Sequence, residues 1–274
     1  QATITKEEAS GSDQSNIYGA RVGDKEIGLT YSDAYKLRAV YESAAIGTTP
    51  TPPTLTIAGS TATFTAGETI TGTVSGATGV VIINSPSTTL KYVVTAGTFS
   101  TLDSVTGGTS TASATVSAVA AGATDITSRY TLDTGQRDSY YDISRIVRNP
   151  SALAPTGQLL VIYDYLSHSG AGDYFDVDSY ANALDYGDIP DYSATKVDPE
   201  TLAPKGFYEL RDALDFRPTV ASNSGASTAP FSFSSRAFEG TGSSTGDLVV
   251  PDDNITMDFT HYLPRWDILF LTAE

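Results

Sequence analysis

An internal repeat constrains the fold of this chain more than any other feature of its sequence. Residues 64–81, FTAGETITGTVSGATGVV, align with residues 99–116, FSTLDSVTGGTSTASATV, at an offset of 35 positions (64 to 99). The aligned pairs that are identical or chemically similar are Phe64/Phe99, Glu68/Asp103, Ile70/Val105, Thr71/Thr106, Gly72/Gly107, Ser75/Ser110 and Ala77/Ala112. Each copy is typical of a strand, a turn and a second strand, with glycine where the chain reverses. Two copies predict about four to six short strands, enough for a small β-sandwich or barrel.

The repeat lies in a segment of distinct composition, residues 54–122. This segment has one aspartate, one glutamate, one lysine and no arginine, and it follows the proline-rich stretch TTPTPP at 48–53. Prolines remove backbone donors and favour a stiff, extended chain, which is typical of a domain boundary. We therefore predict a mainly β protein in which a discontinuous β-rich domain, residues 1–49 and 123–274, is interrupted by a small inserted β domain.

Strands are also predicted on both sides of this segment. A period-two pattern puts four side chains on one face of a strand: Tyr35, Leu37, Ala39 and Tyr41. A helical pattern capped by Ser32 competes with it, but tyrosine and valine favour the strand. QLLVIYDYLSHSG at 158–170 predicts another strand, and two more are predicted at 255–263 and 265–271. Because the chain ends shortly after the last of these, we expect it to be part of a longer polypeptide.

Charge and composition argue against several classes of function. The 32 acidic residues outnumber the 16 basic ones and give a net charge of −16, which disfavours binding to nucleic acid and to anionic membrane surfaces. There is no cysteine and there are only two histidines, so disulfides, thiolate sites and a histidine-rich metal site are not expected. No signal peptide or apolar run long enough to span a bilayer is evident, and we expect a soluble protein without membrane insertion.

An acidic loop offers the one pattern that could bind a cation. Asp173, Asp176 and Asp178 begin a series of six aspartates that extends to Asp191, and calcium takes oxygen ligands of this kind. The spacing does not match an EF-hand, and aspartates also cap turns in solvated loops. We favour the solvated loop and expect no metal and no cofactor.

Catalytic patterns are weak. No G-x-S-x-G motif occurs, and neither histidine has an orienting partner in its vicinity. Glu209, Asp212 and Asp215 could serve a glycoside hydrolase only if one had a raised pKa, whereas the neighbouring Arg211 and Arg217 would lower it. We expect that the protein is not an enzyme.

Arginines and aromatic residues cluster between residues 123 and 220. Arginine pairs with carboxylates and stacks on rings, which is typical both of subunit interfaces and of ion pairs within a domain. Neither alternative is preferred by the sequence. The interface candidates are Arg137, Tyr140, Tyr141, Arg145, Tyr174, Phe175, Arg211 and Arg217.

Four motifs resemble a known family. They are RYTLDTGQRDSYYD at 129–142, LLVIYDYLSHSGAGDYFDVDSY at 159–180, ELRDALDFRP at 209–218 and HYLPRWDILFLT at 261–272. In this order they resemble a domain of unknown function in tail-fibre or baseplate proteins of large contractile-tailed phages, especially cyanophages. The first copy of the repeat is similar to F-x-x-G-E-x-I-T-G units of phage structural proteins, whereas the second has Leu102 and Asp103 in place of Gly-Glu.

The resemblance implies a location and a role but no active site. It implies a structural virion protein of the phage tail, assembled in the host cytoplasm, that links baseplate components or attaches tail fibres through contacts with other tail proteins. We further expect a homo-oligomer, with a trimer favoured, because a cysteine-free β-rich chain can be stabilised by its neighbours. The alternative is a receptor- or carbohydrate-binding module, but Phe64, Tyr92 and Phe99 of the insert have the spacing of core residues.

Overall fold

The computed structural model describes residues 2–6, 22–83, 88–166, 191–193 and 206–221, together with the single positions 175, 179, 180, 187, 189, 238, 254 and 256. The strands in chain order are β1 (Ala2–Lys6), β2 (Glu26–Ser32), β3 (Ala34–Glu42), β4 (Thr54–Ala58), β5 (Thr69–Gly72), β6 (Thr78–Val81), β7 (Thr89–Ala96), β8 (Ser104–Gly107), β9 (Ser113–Ala120), β10 (Thr124–Asp125), β11 (Tyr130–Asp133), β12 (Ile143–Arg148), β13 (Leu159–Tyr165), β14 (Asp191–Ser193) and β15 (Phe207–Glu209). Two 3-10 turns are described in full, Thr127–Arg129 and Leu210–Asp212. The fold is mainly β, as predicted.

Two antiparallel sheets, which we call the sandwich, are built from chain segments on either side of the repeat. One sheet has the order β1-β13-β3-β10 and the other has the order β11-β12-β2. The strongest pairing joins β3 to β13 across more than one hundred residues, and β2 pairs with β12 in the same way. The chain therefore leaves the sandwich after β3 and returns to it at β10. The strands predicted at 255–271 lie outside the described residues.

A shared core lies between the two sheets. Its buried side chains include Leu29 and Ile146 from the three-stranded sheet and Val40, Val161 and Tyr163 from the four-stranded sheet. Alternate residues of β13 point to opposite faces, as the period of a strand requires. The even-numbered Leu160 and Ile162 consequently face away from this core.

The strand predicted around residue 37 is confirmed as β3, but the predicted orientation of its side chains is partly wrong. Ala39 and Tyr41 share a face, as predicted, whereas Leu37 packs in the core between the sheets. The cause is a β-bulge: Ile162 pairs with Ala39, and Tyr163 pairs with Leu37, which leaves Arg38 as an extra residue. One additional residue reverses the alternation of side chains along a strand.

The repeat forms a closed six-stranded barrel with the order β4-β7-β6-β5-β8-β9. Of the two predicted forms, sandwich or barrel, the barrel is therefore confirmed. Strand β5 pairs with β8 so that Thr71 lies opposite Thr106, its own counterpart in the repeat. On the other side of the barrel, Leu55 of β4 lies opposite Leu90 of β7, again 35 positions apart (55 to 90). These two pairs mark an internal two-fold axis, and each half of the barrel contributes three strands.

The matched residues of the two copies are the core and the turns of this barrel. Phe64 and Phe99 are both buried, and so are Ile70 and Val105. The backbone hydrogen bond from Gly72 N to Ala77 O, 2.9 Å, has its counterpart from Gly107 N to Ala112 O, 2.8 Å. All three aromatic rings of the insert are buried, as expected, and Tyr92 packs edge-on against Phe99 with ring centroids 5.1 Å apart.

The barrel packs against the outward face of the four-stranded sheet. Ile82 and Val93 of the barrel contact Ala39, Tyr41 and Ile162 of the sheet. The apolar contact lies next to the place where the chain enters and leaves the barrel. The sandwich and the barrel therefore share a packed seam in addition to the covalent connections.

Candidate functional site: an arginine and tyrosine clamp

A short segment, residues 215–220, which we call the strap, lies between the loop that precedes β12 and Phe175. Backbone hydrogen bonds join Tyr141 N to Pro218 O at 2.8 Å and Val220 N to Tyr141 O at 2.9 Å. On the other side, Asp215 N donates to Phe175 O at 2.7 Å. The strap is thus held by main-chain bonds on two sides, which positions its side chains closely.

Arg217 is the central side chain of the strap. Its Nε donates to Oδ1 of Asp215 at 2.9 Å and its Nη2 donates to Oδ2 of the same carboxylate at 2.7 Å. The guanidinium lies over the rings of Tyr141 and Tyr192, 4.4 Å and 4.1 Å from their centroids. Its Nη1 also donates to the backbone oxygen of Arg137 at 3.0 Å. We call these four side chains, Arg217, Asp215, Tyr141 and Tyr192, the clamp.

Electrostatics fix the protonation states of Arg217 and Tyr141 in the clamp. Burial alone would lower the pKa of Arg217, but the hydrogen bonds to Asp215 outweigh burial and raise the pKa above its ordinary value. Burial, and next the charge of Asp33, raise the pKa of Tyr141 well above its usual range. The tyrosine hydroxyl therefore remains protonated and donates a hydrogen bond to Asp215. A bidentate ion pair between two aromatic faces is a structure-forming arrangement, because each polar group is already engaged.

A second ion-pair cluster lies on the three-stranded sheet. Arg137 donates to both carboxylate oxygens of Asp133, at 2.9 Å and 2.8 Å. Arg145 donates to Asp142 at 2.9 Å and to Glu26 at 2.9 Å. Burial acts to raise the pKa of Asp133, but the hydrogen bond from Arg137 overcomes it and the pKa is lowered. The cluster connects β2, β11 and β12 by charge as well as by backbone pairing.

The predicted interface residues are mostly engaged within the chain. Tyr141, Phe175 and Arg217 are buried, with 0%, 5% and 7% of their surface exposed, so each has little area to offer a partner. Arg137 and Arg145 form the ion pairs described above. Whether any of these residues also meets another chain stays a prediction.

Three more candidates lie nearer the surface or outside the described part. Tyr140 is half-buried and contacts the ring of Phe238 edge-on. Arg211 pairs with Glu209 at 2.8 Å on the exposed hairpin of β14 and β15. Tyr174 lies outside the described residues. The positions of these carboxylates do not support a glycoside hydrolase, because Glu209 and Asp215 are each paired with an arginine.

The proposed cation ligands cannot be placed. Asp173, Asp176 and Asp178 lie outside the described residues. Within the described part of the chain, no group of three or more histidine, aspartate or glutamate side chains could hold a metal ion. In the same part, no helix is long and apolar enough to cross a bilayer.

Sequence reasoning missed how the matched acids of the repeat are used. The carboxylate of Asp103 accepts hydrogen bonds from the backbone of Val74 and Ser75, both at 2.8 Å, and so caps a turn of the first copy. The carboxylate of Glu68 accepts them from Thr109 and Ser110, at 3.0 Å and 2.9 Å, and caps the equivalent turn of the second copy. The matched serine hydroxyls bind the same carboxylates. The signal for these caps in the sequence was the matched acids and serines, because each acid accepts a hydrogen bond from the serine of the other copy.

These caps keep both carboxylates ionised. Burial acts to raise their pKa values, but the several N–H donors of the turns overcome it and lower the pKa of Glu68 and that of Asp103. Both side chains are buried, so the barrel shows almost no negative charge to solvent. The caps therefore stabilise two turns of the barrel and keep both carboxylates away from solvent.

Taken together, the fold and its clamp define a β-sandwich that carries a closed, internally symmetric barrel. Compared with known proteins, the chain matches no family model, no curated protein and no solved structure. The resemblance to phage tail proteins thus stays a prediction.

Proposed function

We propose that the chain is a structural module of a tailed-phage particle, a rigid adaptor that links baseplate components or attaches tail fibres. In this proposal it resides in the virion, contacts other tail proteins, assembles as a homo-oligomer and catalyses no reaction. The resemblance of its four motifs supports the location. The support from the structure is mechanical, because an adaptor must hold two binding surfaces at a fixed distance and angle.

The observation that carries the proposal is the connection between sandwich and barrel, which we call the stalk: residues 51–53 and 122–123. Its two chain crossings run side by side, and Ala123 N donates to Thr51 O at 2.8 Å. Gly122 is so close to the other crossing that an added Cβ would lie 2.6 Å from the backbone of Pro52 and Pro53. Prolines stiffen the first crossing, and close packing against it restrains the second, so the barrel is held in place and not tethered loosely.

The clamp supports the same role in another part of the chain. Arg217 ties the strap to the loop that contains Gln136 and Arg137, through the backbone oxygen of Arg137 and the side chain of Gln136. Charge-assisted hydrogen bonds of this kind are shorter and stronger than neutral ones and fix the geometry of the groups that they join. Arginines used in this way are consistent with a structural protein and supply no free acid or base.

A variant of the stalk tests the proposal. Gly122→Ala should push the two crossings apart, since Gly122 has a φ of +78° and no room for a Cβ. Gly47→Ala is the matched control, because Gly47 has a φ of +79° but nothing within 4 Å of an added Cβ. We expect the wild type and Gly47→Ala to form a complex with purified neighbouring tail proteins in sizing chromatography, and Gly122→Ala to bind about tenfold more weakly.

The measurement has a clear negative outcome. If the wild-type chain forms no complex with any neighbouring tail protein, the adaptor proposal is wrong. If Gly122→Ala and Gly47→Ala bind alike while small-angle scattering shows that only Gly122→Ala has loosened the barrel, then rigidity of the stalk is not what the function needs.

A further inference from the structure

An exposed pair of stacked tyrosines lies at one end of the sandwich. The ring of Tyr31 stacks on the ring of Tyr165, with centroids 4.3 Å apart and planes 10° from parallel. Tyr165 in turn contacts the buried Tyr163, 6.2 Å away and tilted by 49°. Tyr31 is 37% exposed, whereas Tyr163 is fully buried. The three rings therefore lead from the core to the surface and hold the outermost ring rigidly.

The backbone around Tyr31 is strained in a way that turns this side chain outward. Thr30 has a φ of +79° and Asp33 has a φ of +55°, in the left-handed region that a β-branched threonine rarely adopts. Between Gly28 and Ser32, three residues of β2 lie opposite the single Ser144 of β12. Bulges of this kind re-aim a side chain, and strain at non-glycine residues is concentrated at binding sites.

The surroundings indicate what kind of ligand the ring takes. Among residues 22–45, Tyr31 is the only large hydrophobic side chain that is exposed. A specific protein–protein interface buries on the order of 1,000 Å² of total surface, to which one exposed ring contributes little. A sugar ring needs only one aromatic face, because its C–H groups pack against the negative face of the ring.

The net charge of the chain further restricts the class of ligand that can bind. With a net charge of −16, the protein repels anionic sugars such as uronic acids. The barrel offers no alternative surface, since Phe64, Tyr92 and Phe99 are buried. We propose that Tyr31, backed by Tyr165, is a binding site for a pyranose ring of an uncharged glycan. This inference stands apart from the adaptor role and does not rest on it.

Saturation-transfer NMR with simple glycosides tests the site. The probes are methyl α-D-glucopyranoside, methyl β-D-galactopyranoside and methyl α-D-mannopyranoside, with methyl β-D-glucuronide as the anionic comparison. We expect transfer to the ring C–H protons of at least one neutral glycoside, with a Kd on the order of 1 mM, and weaker transfer to the glucuronide. Tyr31→Ala should weaken binding by about tenfold, because stacking is lost, and Tyr31→Phe should retain it.

Controls separate this site from other exposed rings and from misfolding. Tyr208→Ala changes an exposed ring of the hairpin of β14 and β15 and should leave glycoside binding unchanged. Tyr31→Phe keeps the ring and should melt like the wild type, so its binding is informative even if Tyr31→Ala folds poorly. The proposal is overturned if no neutral glycoside receives transfer, if Tyr31→Phe loses binding, or if Tyr208→Ala weakens binding as much as Tyr31→Ala. Loss of glycoside binding with unchanged tail-protein binding would leave the adaptor role intact.

Discussion

The barrel and the sandwich are stabilised in opposite ways. In the barrel, charge is nearly absent and both carboxylates are buried under turns that lie within 42 residues of them along the chain. In the sandwich, some charged groups are paired with arginines from distant segments, as with Arg38 and Asp164 and with Arg145 and Glu26. The barrel repeats one local unit twice, while the sandwich is assembled from contacts that the sequence separates widely. The barrel and the sandwich should therefore respond differently to the same kind of substitution.

Removing the clamp arginine should have the largest effect and should act on the sandwich. Arg217→Ala leaves Asp215 buried without its counter-charge, and we expect a loss of about 3–5 kcal/mol in the free energy of unfolding. Urea denaturation followed by circular dichroism measures the loss. Arg211→Ala, which breaks an exposed pair, is the control and should cost less than about 1 kcal/mol. Equal losses for the two variants would mean that the clamp contributes no more than a surface pair.

A smaller loss is expected when a cap of the barrel is removed. Asp103→Ala leaves the backbone N–H groups of Val74, Ser75 and Ser100 without their acceptor. We expect a destabilisation of about 2–3 kcal/mol, visible as faster hydrogen exchange in β5 and β8. Exchange in the sandwich strands should stay unchanged. If β3 and β13 also exchange faster, the barrel and sandwich unfold as one unit.

Acid should weaken the barrel through the same two carboxylates. Their folded pKa values lie below those of the unfolded chain, so their contribution is complete above the unfolded pKa of about 4 and is lost as pH falls through the folded values. Thermal melts between pH 7 and pH 2 should therefore show a decline that begins near the unfolded pKa. Asp103→Asn cannot titrate at this position, and its decline should be shallower. A parallel decline in wild type and variant would contradict the assignment.

The smallest effect is a gain in stability. Thr111 has a φ of +55° and occupies the position equivalent to Gly76, which has a φ of +67°. Only glycine adopts this conformation without steric cost, so Thr111→Gly should stabilise the barrel by about 1 kcal/mol. Gly76→Thr should destabilise it by a similar amount. Chemical denaturation of both variants checks the pair, and a loss of stability in Thr111→Gly would show that the threonine side chain makes a contact that matters more than its strain.

The repeat made much of the barrel predictable. Matched glycines, serines and apolar residues marked the turns and the core in both copies, and a range of four to six strands followed from them. The sequence did not show that β4 and β7 are counterparts, because only Thr54/Thr89 and Leu55/Leu90 match between these two strands. It also did not show that Asp103 caps the turn of the other copy, since that depends on the two-fold axis. Leu102 replaces Gly67, and only Gly67 has a positive φ, so the two turns differ there.

The sandwich was predictable only in part. Alternation identified β3 and β13 as strands, yet a single inserted residue, Arg38, reversed the facing of Leu37. Arg217 and Tyr141 of the clamp were singled out for their chemistry, whereas Tyr192 was not. Their mutual contact was not predicted either, because Arg217 meets Tyr141 from 76 residues away. Periodicity reports which side chains share a face and carries no information about which distant segments pair. For the same reason, the Tyr31 stack could not be anticipated.

The stalk also determines how this protein could be rebuilt. Thr51 and Ala123 are as close as the two ends of a hairpin, because one hydrogen bond of 2.8 Å joins them. A tight turn could therefore replace the whole insert while the sheets keep their register. Equally, an unrelated cassette whose own termini are adjacent could be grafted at the same place. The sandwich would then hold different inserted domains in a constant orientation.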